Sequence, residues 1–136
     1  MLDLYLSPSC ASCRKARFWL QSHGVTFVEH NILTQPFTAE SLIKILEKTE
    51  NGTEDIISTR SKLFRTLAIN VEDLTMNELL ILVTENPKLL RRPIIMGKDH
   101  VQIGFNEDEI RTFLPSSYRR VELKHSKTSR FQTNEA

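Results

Sequence analysis

The sequence predicts an α/β fold in which a β-α-β unit and a later β-hairpin enclose a helical insertion. Three observations carry this. Alternating and β-branched residues recur at the start of the chain, near residue 26 and again after Pro93. Both cysteines, Cys10 and Cys13, stand where the first strand turns into a helix. The stretch between the two strand regions carries several segments of helical spacing. At 136 residues, with 40% hydrophobic and 26% charged residues, the chain is long enough for one substantial core. The expected organisation is one domain over residues 1–115, an insertion at about 38–90 and a tail over 116–136.

Residues 2–6 are rich in strand formers, and Ser7, Pro8 and Ser9 turn the chain. Residues 11–22 suit a helix, with Ala16, Trp19 and Leu20 apolar and Arg14, Lys15 and Arg17 polar. Gly24 ends it, and residues 25–28 form the second strand. After a polar stretch through Pro36, Thr38 caps a helix without a capping box, because Ser41 occupies the position a Glu or Gln would need. Leu42, Ile43, Ile45 and Leu46 give that helix its apolar stripe, and residues 50–53 break it. Two further helices are expected at roughly 60–68 and 75–85, ending near Asn86 and Pro87. Residues 94–96 and 101–104 form a hairpin, Asn106 caps a last helix with Glu109 three residues on, and Pro115 stops it. Beyond lies a tail expected to be mobile, basic through Arg119, Arg120, Lys124, Lys127 and Arg130 and polar from residue 126. Trp19, Phe18 and the Leu/Ile stripes read as core.

A formal net charge of +1 gives the domain no general grip on nucleic acid or an acidic membrane. No apolar run approaches the roughly 20 residues that cross a bilayer, so no membrane partner is expected. Asp3 stands where a signal peptide would be positive, and no long apolar segment follows, which reads as a cytoplasmic protein. In a reducing compartment a lone disulfide is a poor permanent staple, so the cysteine pair reads as reactive or regulatory.

Residues 7–15 read SPSCASCRK. A thiol at a helix start meets unpaired backbone N–H groups and the positive end of the dipole, which favour thiolate; Arg14, Lys15 and Arg17 add positive charge. Cys13 can then resolve a sulfenic acid or mixed disulfide on Cys10 by forming an intramolecular bond. Two other readings stand beside this one. Structural zinc would need a fourfold ligand set, and beyond the cysteines only His23, His30, His100 and His125 remain, without paired spacing. Inert buried cysteines are the other, opposed by the flanking serines and basic residues. Neither metal nor organic cofactor is expected.

The element order with C-x-x-C at the first turn is similar to the thioredoxin-like fold, a mixed sheet of glutaredoxin or arsenate-reductase type. SPSCASCRKA, NGTEDIISTRSK, LLRRPII and GFNEDEIRTFLP together resemble the Spx family, in the arsenate-reductase-like branch of that fold. The resemblance implies a transcriptional regulator of the stress response. It implies binding to the C-terminal domain of the RNA polymerase α subunit and contact with promoter DNA only alongside polymerase. It also implies a Cys10–Cys13 disulfide switch and turnover by a protease with its adaptor, although the polar Thr-Asn-Glu-Ala ending departs from the ends such machines usually take.

In the reductases of this branch one cysteine is surrounded by three oxyanion-holding arginines. Cys10 matches the cysteine, Arg60 and Arg92 match two arginines, and the third falls near residues 104–106, where there is none. One missing charge-assisted hydrogen bond costs on the order of 1.5–3 kcal/mol. No enzyme activity is therefore expected, with thiol oxidoreductase or arsenate reductase as the alternative. Arg60 and Arg92 read instead as anion-holding or relay residues of the switch, against a bland alternative of solvation or ion pairing. Gly52 suits a helix C-cap at positive φ, and the resemblance also puts it on the polymerase-binding face. Glu47 nearby departs from the basic residue that the resemblance leads one to expect.

Overall fold

A computed structural model describes residues 1–35 and 37–114. Pro36, Pro115 and the tail, with its basic cluster and His125, lie outside the described residues. The chain divides into two units, Met1–Phe105 and a second beginning at Asn106.

The first unit is built on a four-stranded mixed sheet in the order β2-β1-β3-β4. Its strands are β1 (Leu2–Leu6), β2 (Phe27–Asn31), β3 (Ile94–Met96) and β4 (Val101–Ile103). β1 runs parallel to β2, with Leu2 opposite Phe27 and Leu6 opposite Asn31, and antiparallel to β3, with Tyr5 opposite Ile94. Helix α1 (Ala11–Ser22) makes the crossover that two parallel neighbours require. The insertion contributes α2 (Ala39–Glu47), α3 (Thr53–Ile56), α4 (Lys62–Leu67) and α5 (Met76–Glu85), with 3-10 turns at Val71–Asp73 and Pro87–Leu89.

The second strand lies two residues later than the sequence expectation of 25–28. Gly24, at φ +66°, takes the left-handed position after α1; its N–H reaches Gln21 O and the Val25 N–H reaches Leu20 O at 3.0 Å. This Schellman-type ending engages Val25, so sheet pairing begins at Phe27. The cap of α2 is as the sequence suggests, with Thr38 Oγ1 accepting from Ser41 N at 3.1 Å. A full capping box appears instead at α5, where Thr75 and Glu78 satisfy each other's backbone N–H groups.

Alternation along the strands separates two faces. Tyr5 and Ile94 join Leu42 and Ile45 of α2, Ile56 of α3, and Leu79 and Val83 of α5 in one buried cluster. The register leaves Leu4, Leu6 and Ile95 on the opposite face, all buried. Trp19 belongs to the core at 7% exposure, but Phe18, expected beside it, is 71% exposed because it falls on the outer face of α1.

In the second unit a 3-10 helix, Glu109–Phe113, replaces the expected α-helix. Asn106 Oδ1 does accept from Asp108 N at 2.9 Å and from Glu109 N at 3.0 Å, as a capping residue should. Ile110 and Leu114 are buried.

Candidate functional site

Where β1 ends, Ser7 and Pro8 turn the chain into α1 and Cys10 becomes the N-cap residue, at φ −100° and ψ 119°. Its sulfur does the work usually done by a Ser or Asp oxygen, accepting from Cys13 N at 3.3 Å. Cys13 points inward at 1% exposure, whereas Cys10 is partly exposed. One thiol therefore meets solvent while the other lies directly behind it.

Their acidities diverge in consequence. Partial burial pushes the Cys10 thiol up, but the Cys13 side chain and backbone N–H, the Arg92 charge and the Ser12 N–H outweigh it, and the net shift is down. Cys13 goes the other way, pushed up to about 12 by burial, by its hydrogen bond to Cys10 and by the charge on that sulfur. The two shifts run in opposite directions, so thiolate forms more readily on Cys10 than on Cys13.

The positive charge that weighs most on Cys10 comes from Arg92 rather than from the helix residues named in the sequence. Arg17 is ion-paired with Glu29 at 2.9 Å, and Arg14 reaches back to Pro8 O. Arg92 precedes Pro93 through a cis peptide bond and donates from Nη1 to Ser7 Oγ at 2.9 Å.

Cys10 opens into a cavity of about 370 Å³ lined by Ser58, Lys88, Leu90, Arg91, Arg92, Ile103 and Gly104. Backbone pairing assembles this wall. Ile57 bridges Leu90, Ser58 N donates to Leu89 O at 2.7 Å, Arg91 N donates to Ile56 O at 2.8 Å, and Gly104 N donates to Pro93 O at 2.7 Å. Arg91 also fastens its Nε to Ile57 O. Arg60 is exposed and is not among the described residues lining the cavity. Ser58, Lys88 and Arg91 carry no motif in the sequence beyond the doubled arginine before Pro93, and Ser7 stands there only as a turn residue beside the cysteines.

Gly52 lies away from this cavity's lining. It adopts φ +67° and ψ −131°, so its positive φ is as expected, but it starts α3 rather than capping α2, whose C-cap is Lys48. A Cβ built on it meets nothing within 4 Å. A cavity of about 410 Å³ beside it is lined by Asn51, Thr53, Glu54, Val71, Glu72 and Leu74.

Among the described residues no group of three or more His, Cys, Asp or Glu side chains could hold a metal ion. No helix among them is long and apolar enough to cross a membrane.

Residues 5–113 match the ArsC family. The protein named Global transcriptional regulator Spx 1 of Lactococcus lactis is 73% identical over 123 residues, covering 90% of this chain and 96% of that one. The chain belongs to the Spx family. Global transcriptional regulator Spx of Streptococcus agalactiae is 63% identical over 126 residues, 93% of this chain and 92% of its own. The fold is shared more widely than the Spx name. An arsenate reductase from Vibrio cholerae superposes with a TM-score of 0.72 at 20% identity, over 83% of this chain and 97% of that one. The thioredoxin-like architecture is thus common to Spx proteins and reductases, and the residues around Cys10 must separate them.

Proposed function

We propose that this chain is a redox-responsive regulator of transcription, working in the cytoplasm, whose activity follows a Cys10–Cys13 disulfide. The observation that carries this reading is Cys10 Sγ within 3.3 Å of Cys13 N, with the buried Cys13 thiol hydrogen-bonded to it. A peroxide would be attacked by the Cys10 thiolate, its O–O bond breaking to leave a sulfenic acid and hydroxide. Cys13 sulfur would then displace hydroxide from that sulfenic acid, and with the Cys13 proton it leaves as water.

The partner in this reading is the C-terminal domain of the RNA polymerase α subunit, approached through the Gly52 turn, with promoter DNA engaged only in the joint complex. A glycine whose Cβ position faces open space lets another backbone come close. Glu50 and Glu54, two positions to either side of it, are exposed, so a complementary partner face is basic. Pull-down of the isolated α C-terminal domain by the purified chain tests the partner. Intact-mass measurement after mild diamide treatment tests the switch, since diamide takes up the two hydrogens the thiols lose. A folded chain that retains both thiols and captures no α domain would end this reading.

One observation favours a second reading, a thiol oxidoreductase or arsenate reductase. Lys88, Arg91 and Arg92 line the cavity at Cys10, and such cations suit an oxyanion. Arg60, however, does not line it with them. An arsenate-reduction assay with a thiol reductant separates the two readings.

A further inference from the structure

We propose that Ser7 is a positioning residue of the redox pair, holding the Arg92 guanidinium against the cysteine turn through its hydroxyl. The inference rests on the reading of Cys10 and Cys13 as a redox pair, and extends it to a residue outside that pair.

Ser7 is a polar side chain at 1% exposure, at the end of β1 and three residues before Cys10. Buried hydroxyls are kept where they have a partner, and this one accepts from Arg92 Nη1 at 2.9 Å, across 85 positions of chain. The same residue also touches each cysteine of the pair through its backbone. Its carbonyl accepts from Cys10 N at 3.4 Å, and a backbone hydrogen bond from Ser7 reaches Cys13. Ser7 therefore meets both cysteines and the cation that acts on them. A guanidinium on a long side chain has several rotamers open to it, and a hydrogen bond to a buried, fixed acceptor selects one. The selected one lines the cavity into which Cys10 opens, where the charge favours thiolate over thiol. Without the hydroxyl the guanidinium is free to turn toward solvent, and the Cys10 thiolate loses that stabilisation.

The test follows Cys10 alkylation by iodoacetamide against pH in the full chain, with thermal melting alongside. Ser7→Ala should move the titration midpoint upward and slow alkylation near neutral pH by roughly three- to tenfold, the change in thiolate fraction for half to one pKa unit. Ser7→Thr should restore the wild-type profile, while Ser7→Val, the same shape without a hydroxyl, should behave as Ser7→Ala. This pair keeps the test decisive if the alanine variant melts early. Adding Ser7→Ala to Arg92→Ala should change nothing further, because both act through one contact. An unshifted profile in Ser7→Ala and Ser7→Val would overturn the inference, as would full additivity with Arg92→Ala. A wild-type chain that formed no disulfide would sink the redox reading alone, since the alkylation profile reads Ser7's role without it.

Discussion

The turn that carries the cysteines and the turn that carries Gly52 are both loop-to-helix junctions, yet they are built in opposite ways. At Cys10 everything is close: sulfur caps the helix, Cys13 lies buried behind it, and Ser7 and Arg92 tie the turn to the loop before β3. At Gly52 the backbone takes a glycine conformation, no side chain caps α3, and a Cβ would meet open space. The first turn is closed by contacts among its own groups. The second leaves the space beside its glycine open.

Breaking the cysteine turn should have the largest effect. In Cys13→Ser the loss of two hydrogens per chain under diamide should vanish, because the internal resolving sulfur is gone. Intact-mass spectra checked by reduction with dithiothreitol would decide it. A two-hydrogen loss in the folded variant would mean that Cys13 is not the partner.

The same turn should show two very different thiols as pH changes. The Cys10 pKa lies below the ordinary thiol value of 9.0, so its thiolate persists as pH falls through 9 and is lost only at the lowered value. Cys13 keeps its proton until pH approaches about 12. Between neutrality and pH 9, alkylation should therefore modify Cys10 faster than Cys13 by at least about a hundredfold, read by peptide mass spectrometry. Comparable rates at the two sites would remove the distinction.

The Gly52 turn should respond through binding rather than thiol chemistry. Gly52→Arg should weaken capture of the α C-terminal domain about tenfold or more, the scale of a hot-spot change, while Cys10 alkylation stays as it was. Any side chain at φ +67° and ψ −131° is strained, by roughly 1–3 kcal/mol. Gly52→Ala carries that strain without the long cation, so it should melt early in the same way yet bind better than the arginine variant. Equal affinities for Gly52→Arg and wild type would move the interface elsewhere.

The smallest effect is expected away from both turns. Thr75→Ala removes half of the α5 capping box and should cost about 1 kcal/mol of stability, a lowered Tm with unchanged Cys10 reactivity and partner binding. Altered thiol reactivity in that variant would mean that the insertion and the cysteine turn are coupled through the core.

What could be read in the sequence was local. The spacing of Cys10 and Cys13, the glycine after α1 and the Thr38 cap depend on residues a few positions apart, and their geometry follows from the chain between them. The chain also announced a positive φ at Gly52, though not that α3 would begin there. Where such signals compete the reading slipped: Val25 looks like a strand residue, but its N–H was already engaged by the end of α1. The cavity was a tertiary decision. Ser58, Lys88, Arg91 and Gly104 line one cavity with Cys10 because Ile57 bridges Leu90 and Gly104 bonds Pro93, pairings between segments that no local pattern links. Only the assembled sheet decided which cation's charge acts on the sulfur. Arg14, Lys15 and Arg17 are near Cys10 in sequence, but Arg14 is spent on Pro8 O, Arg17 is paired with Glu29, and successive side chains fan out around the helix axis. Arg92 arrives from the loop before β3 and is held by Ser7, because strand pairing sets that loop against the end of β1.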